Sequence, residues 1–327
     1  MPQTVTPLIL RLAAAALAAP FLFLTLQGWA QTTVSSGSVK LLFSSGFEGS
    51  TALSAPGNCY GTGCWQNITG MDTSTGFAWP PKIWRGGRTR FQLLADASVD
   101  ATTIGHYMVN QIQTVTGHDG NPTRALYSEI KKSGCCGTKP QGGRPTQNPF
   151  MIQPVGETSD LYIRYWLKFQ PDLPQLMNPP NPNWRVFFEW KTGTLGDDGD
   201  YRVLVDLVTW GLGGPFSWYV VGDNVASRSQ TRQIYWEKYS TTTAQTLRDW
   251  MKFEVFWHRS RGSDGRVWMA VNGEVIVDRY GPNIGVNNAP INRIMVSQLY
   301  SSSAYPTYQW VDDVQVWDGF PPDSAPH

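Results

Sequence analysis

LYIRYWLKF, residues 161–169, alternates Leu161, Ile163, Tyr165, Leu167 and Phe169 with Tyr162, Arg164, Trp166 and Lys168. A period of two sustained over this length reads as a β-strand with one face in a core. The pattern recurs in RVFFEWK (185–191), YRVLVDLV (201–208), FSWYVVGD (216–223) and QIYWEKY (233–239). It continues through WMKFEVFWHRS (250–260), GRVWMAVNGEVIVDR (265–279), INRIMVSQLYS (291–301) and QWVDDVQVW (309–317). Asn272-Gly273, set between two alternating runs, is the strongest short-range hairpin signal. No segment keeps a helical period beyond two turns, and TTTAQTLRDW (241–250) allows one short turn. PDLPQLMNPPNPN (171–183) reads as a surface loop, because proline cannot donate to a sheet ladder. Residues 50–125 are less regular and suit an edge strand with long loops. Many antiparallel strands at this spacing imply an all-β sandwich or barrel, and a jelly roll of two antiparallel sheets fits best.

Composition supports that class. The 327 residues carry 26 Lys and Arg against 25 Asp and Glu, which gives no basic excess for a nucleic acid partner. The 15 Trp, 13 Tyr and 14 Phe are too many for a disordered chain. Arg11 precedes an apolar run over residues 12–30, with Gly28 and Ala30 before a cut ahead of Gln31. Residues 1–30 therefore read as a signal peptide, with an uncleaved anchor as the competing reading. Residues 31–327 form a single sandwich domain, secreted or periplasmic, with no membrane partner after signal removal. Cys59 and Cys64 lie in one Gly-rich loop and Cys135 and Cys136 in another. A bond between adjacent cysteines would be strained, so two disulfide cross-links between the loops are preferred to it and to a zinc site.

The order SGFEGS (45–50), RALYSEI (124–130), LYIRYWLKF, FFEWK, KFEVFW, GRVWMAVNGEVI and QWVDDVQVW resembles the concanavalin A-like jelly-roll polysaccharide lyases of heparin-lyase and alginate-lyase type. The resemblance spans roughly residues 40–318. It implies β-elimination at a uronic acid: a cation or amide neutralises the carboxylate, a base takes the C5 proton, and an acid protonates the leaving oxygen. Carried onto this chain, Arg124, Lys191 and Gln298 would meet the carboxylate, Glu129 would orient Arg124, and Tyr300 or Tyr305 would move the proton. Glu189 departs from the alginate-lyase pattern, since a carboxylate there repels the substrate unless Lys191 or Arg202 pairs with it. Two alternatives follow: a glycoside hydrolase using Glu129 and Glu189, and a lectin-like domain that binds carbohydrate without cleaving it. The resemblance also implies a structural calcium held by Glu48, Asp312 and Asp313. A second acidic run, GDDGD (196–200), reads as a hydrated turn.

Flat indoles stack on pyranose faces, and Trp166, Trp190, Trp218, Trp236 and Trp268 are the candidates for a glycan platform. Trp257 and Trp310 fall on apolar rows and belong to the core by alternation. His258 falls on a polar face, and His106, His118 and His327 are less constrained.

Overall fold

The computed structural model describes residues 39–60, 63–80, 90–94, 100–131, 146–152, 159–177, 184–193, 200–209, 215–224, 232–300 and 306–327. The expected signal peptide, Cys135, Cys136 and Tyr305 lie outside these residues. In chain order the first strands are β1 (Leu41–Ser45), β2 (Ala52–Leu53), β3 (Gly57–Tyr60), β4 (Gly63–Met71), β5 (Ala78–Trp79), β6 (Arg90–Leu94), β7 (Met108–Thr116) and β8 (Pro122–Ile130). They are followed by β9 (Thr146–Ile152), β10 (Asp160–Phe169), β11 (Trp184–Thr192), β12 (Arg202–Thr209), β13 (Phe216–Asp223) and β14 (Ile234–Thr242). The last six are β15 (Met251–His258), β16 (Arg266–Val271), β17 (Glu274–Tyr280), β18 (Ile291–Val296), β19 (Leu299–Tyr300) and β20 (Thr307–Trp317). Helices are minor: α1 (Ala101–Tyr107), α2 (Leu173–Leu176) and a 3-10 turn at Thr246–Arg248. None of the described helices is long and apolar enough to cross a membrane.

The strands form two antiparallel sheets, as a jelly-roll sandwich requires. The first runs β17-β16-β15-β10-β20-β8-β7, with β1 also on β20. The second runs β14-β13-β12-β11-β18-β9-β6-β4-β2. The inner rows meet in one core. Leu161, Ile163, Tyr165, Leu167 and Phe169 are all buried, as their alternation predicts, with Phe253, Val255 and Trp257 beside them. Opposite stand Phe187, Phe188 and Trp190, Val203, Val205 and Leu207, and Trp218 and Val220. Rings interlock across the gap, Phe187 on Phe253 at 4.8 Å and Trp190 on Trp257 at 5.5 Å. Such pairs add to the area they remove from water.

One side chain bolts the layers together. Arg185, on β11 and fully buried, donates to Gln170 Oε1, to the Tyr308 carbonyl and to Gln309 Oε1, all within 3.1 Å. These acceptors sit at the ends of β10 and β20, in the other sheet. Burial, with no carboxylate bonded to it, brings the guanidinium down to about 9.

The sequence reading needs correction in five places, the first being residues 50–125, read as an edge strand with long loops, which hold β2 to β7, α1 and the start of β8. Cys59 is disulfide-bonded to Cys64, not to the second cysteine loop. The β3–β4 hairpin sets Tyr60 opposite Gly63, which makes the two cysteines neighbours across it. Trp310 lies on the outer face of the first sheet against Tyr127 and Tyr308, not in the core. The cause is a bulge in β20, where Asp313 adopts φ 47° and inverts the alternation between Val311 and Val314. The run 291–301 is broken at Ser297 (φ 62°) into β18 and β19. The loop 171–183 starts with α2, whose Leu173 is buried. The Asn272-Gly273 turn is as expected, with both residues at positive φ.

The outer face of the first sheet is not all solvated. Tyr162, Phe256, Trp268 and Ala270 are buried there under Trp317, the last residue of β20, and under Phe320 and Ala325 of the C-terminal tail. Buried Glu254 is held in that seam by the Tyr162 hydroxyl at 2.6 Å, the Ala325 N–H at 3.0 Å and Lys252 at 3.1 Å.

Candidate functional site

On β11 the register slips between Val186 and Phe188, so Phe187 and Phe188 both enter the core. After that bulge Glu189 and Lys191 point away from the core, onto the outer face of the second sheet. Three cross-strand rows then form by register. Lys191 faces Arg202 and Arg202 faces Asp223; Glu189 faces Leu204, then Val221 and Glu237; Asp206 faces Tyr219, then Tyr239. Arg293 on β18 lies opposite Lys191 on the other side.

Glu189 is the hub. Its Oε1 lies 2.9 Å from Lys191 Nζ and 3.3 Å from Arg202 Nη1, and its Oε2 accepts from Gln298 Nε2 at 2.9 Å. Arg202 also grips Asp223 with two parallel bonds, Nε at 2.7 Å and Nη2 at 2.6 Å. Arg232 reaches the same carboxylate at 2.5 Å. Bidentate guanidinium–carboxylate bonds fix orientation as well as charge. Burial alone would raise the Glu189 carboxyl, but Lys191, Arg202 and the bonds from Lys191 and Gln298 outweigh it and hold the group below its ordinary value. Burial lowers the Lys191 ammonium; Glu189 pulls the other way, while Arg293 and Arg202 add to the lowering.

Asp206 behaves differently. It is 7% exposed, its Oδ1 accepts no hydrogen bond, and desolvation raises its carboxyl to about 7. Nearby, the Tyr219 hydroxyl donates to Glu237 Oε2 at 2.8 Å, and the Tyr219 ring stacks on Tyr239 at 4.6 Å. Tyr239 is 46% exposed, so this pair offers an aromatic surface next to the charged cluster.

Of the residues expected from the sequence, the structure brings Glu189, Lys191, Arg202 and Gln298 together. Among the described side chains, it does not bring Arg124, Glu129 or the tryptophans to them. Arg124 clamps the N-terminal segment instead, Nη1 on the Gly49 carbonyl at 2.6 Å and Nη2 on the Thr51 carbonyl at 2.8 Å. Glu129 falls on the opposite face of β8 from Arg124 and cannot orient it, because an odd separation along a strand reverses the side. Glu129 and Glu189 stand on the outer faces of different sheets, which removes the paired-carboxylate hydrolase. Tyr300 pairs through its backbone with Thr146, and its side chain, like Tyr305, lies outside what is described. Trp190, Trp218 and Trp268 are buried and out of reach of a ligand. Trp236 lies on the far side of β14 from Glu237, bonded to the Tyr201 hydroxyl at 2.6 Å. Trp166 is on the other sheet. Sequence reasoning missed Asp206, Tyr219, Asp223, Arg232 and Tyr239. The available signal was parity: Asp206 shares its face of β12 with Arg202, and Tyr219 shares its face of β13 with Asp223.

The expected calcium ligands gather only in part. Glu48 Oε1 accepts from the Arg124 N–H at 2.8 Å and lies 3.2 Å from Thr123 Oγ1, which is 2.9 Å from Asp312 Oδ2. Asp313 turns instead to His118 Nε2 at 2.9 Å. Burial, then Asp313 and Glu48, raise the Asp312 carboxyl to about 8. Among the described residues no three His, Cys, Asp or Glu side chains are arranged to hold a metal. In the 196–200 run only Asp200 is described, and it caps a loop through the Asn287 and Ala289 N–H groups.

No family model matches the chain, and no curated protein matches it. Solved structures do. The chain is similar to an alginate lyase, Aly36B, at 14% identity and TM-score 0.43, over 70% of this chain and 87% of that one. It is similar to an endo-β-1,4-glucuronan lyase from the fungus Trichoderma reesei at 14% identity and TM-score 0.46, over 66% and 91%. It is also similar to a botulinum neurotoxin binding domain at 8% identity and TM-score 0.39, over 84% and 48%. At these scores the likeness carries no argument about chemistry, which has to come from the side chains.

Proposed function

We propose that this protein is exported and acts on a uronate-containing polysaccharide, cleaving it by β-elimination at the outer face of the second sheet. The observation that carries the reading is the convergence of Lys191, Arg202 and Gln298 on Glu189. It answers the repulsion expected from Glu189, whose charge is met by two cations and an amide. Arg202 and Arg293 are the donors for a substrate carboxylate, while buried Gln298 holds Glu189 in place. Lys191, lowered by burial, is the base in its neutral form, when Arg202 and Gln298 alone hold Glu189: it takes the C5 proton, the C4=C5 double bond forms, and the C4–O bond breaks. The leaving oxygen takes a proton from an acid, either Tyr300 or Tyr305 as the sequence suggests, or Asp206, protonated up to about pH 7. The Tyr219–Tyr239 pair supplies the stacking surface. The Cys59–Cys64 bond supports an oxidising compartment.

The test is incubation with alginate and with polyglucuronate while following the ultraviolet absorbance of the unsaturated product. Lys191→Ala should lower the rate by about 10²-fold or more. Reducing ends without that absorbance in the wild type would reject elimination. The lectin-like alternative has one observation in its favour: Lys191 and Arg202 are already engaged by Glu189 and Asp223. Retention by polymer with no product would select it.

A structural calcium belongs to the same proposal, with Glu48 and Asp312 as its carboxylates. Calcium would displace the Asp312 proton and pair with the buried carboxylate, which would stabilise the fold. Millimolar calcium should raise Tm by a few degrees, about 1 kcal/mol or more, and Asp312→Asn should abolish that rise.

A further inference from the structure

A cavity of 330 Å³ opens on the outer face of the first sheet, away from the site above, between β10, β15, β20, the β7–β8 turn and the C-terminal tail. This lies within the size range of small-ligand sites, about 300–1,000 Å³. One wall is aromatic: His118 lies flat on Trp166, ring centres 3.9 Å apart and planes within 5°. The rest is a fixed set of polar groups. Gln315 Oε1 accepts from Arg164 Nε at 2.7 Å and from Trp317 Nε1 at 3.1 Å, which leaves its NH2 group to donate into the cavity. Arg164 Nη1 is anchored 2.8 Å from Asp323, whose carboxylate is 68% exposed and keeps acceptor capacity. Lys252 is tied to Glu254, and His118 to Asp313.

Each charge here is matched by an opposite one, so the cavity has no excess with which to hold an ion. It has instead a flat ring wall beside alternating donors and acceptors already locked in place. That combination suits a pyranose, with an apolar C–H face and adjacent hydroxyls that both give and accept hydrogen bonds. We propose that this cavity is a second carbohydrate-binding site, recognising ring hydroxyls and holding a polysaccharide without cleaving it. The sugar class rests on the function proposed above; the location does not.

The test is retardation in native gels containing alginate, polyglucuronate or a neutral cellulose derivative, run beside the cleavage assay. Trp166→Ala should weaken retention by at least one of these polymers about ten-fold and leave cleavage of short oligosaccharides unchanged. Gln315→Leu, which keeps the indole, should act in the same direction. If neither variant shifts retention, if only Lys191→Ala does, or if the wild type runs freely in every gel, the proposal is overturned. Loss of retention in Trp166→Ala and Gln315→Leu with no product from any polymer would leave this site standing and reject the lyase.

Discussion

Asp206 brings a carboxylate into a nearly dry position and leaves one of its oxygens without a donor. The folded chain favours its neutral form, so its contribution to stability is complete below about pH 4 and is lost as pH rises through about 7. Asparagine removes that loss. Asp206→Asn should stabilise the protein at pH 8 by on the order of 1–3 kcal/mol, have little effect at pH 4, and lower any activity in which Asp206 is the acid. Denaturant titrations at the two pH values check the first part. Asp206 was hidden in the sequence because YRVLVDLV reads as a buried strand, and one acid among five apolar residues gives no sign of which neighbours it meets. Glu189 was easier. Its pairing with Lys191 or Arg202 follows from sharing a face with the one and being the diagonal neighbour of the other across β11 and β12.

At the scale of elements, a strand's place in sequence was readable and its facing often was not. Alternation located β10 to β18 to within a few residues. A bulge costs only one extra residue, yet it reverses every side chain beyond it. This is why Trp310 moved outward and why Phe187 and Phe188 share the core. The indoles were misassigned for a related reason: on β13 the Trp218 row is the core row, so the polar face fell to Tyr219 and Asp223. The edge strand β14 gives a test of packing. A Cβ on Gly222 would come within 2.2 Å of Trp236 Nε1 and 2.4 Å of the Tyr201 hydroxyl. Gly222→Ala should therefore loosen β14, cost about 2 kcal/mol and shift the emission of Trp236. Because Glu237 and Tyr239 ride on that strand, ligand affinity should fall with it.

For the whole molecule, the jelly roll was readable from strand number and turn residues, whereas the closure of its outer face by the tail was not. Residues 318–327 show no strong pattern of their own, and their role emerges only once Trp268 and Phe256 are placed beneath them. Removing residues 319–327 should cost on the order of 3 kcal/mol through exposed aromatic surface and make the protein bind a hydrophobic dye. The global pH profile follows from three groups. Asp206 and Asp312 both lose stability as pH rises from about 4 toward 8, while Glu189, held low, loses it only as pH falls below its ordinary range. Without added calcium, Tm should peak in mildly acidic buffer. Arg185 has a kinetic counterpart to these equilibrium effects. A lone layer that peeled away would break the three hydrogen bonds that join Arg185 to the other sheet. Breathing of either sheet by itself is thereby suppressed, and amide exchange along β10, β11 and β20 should proceed through one shared opening event, at a single free energy, with no early-exchanging half.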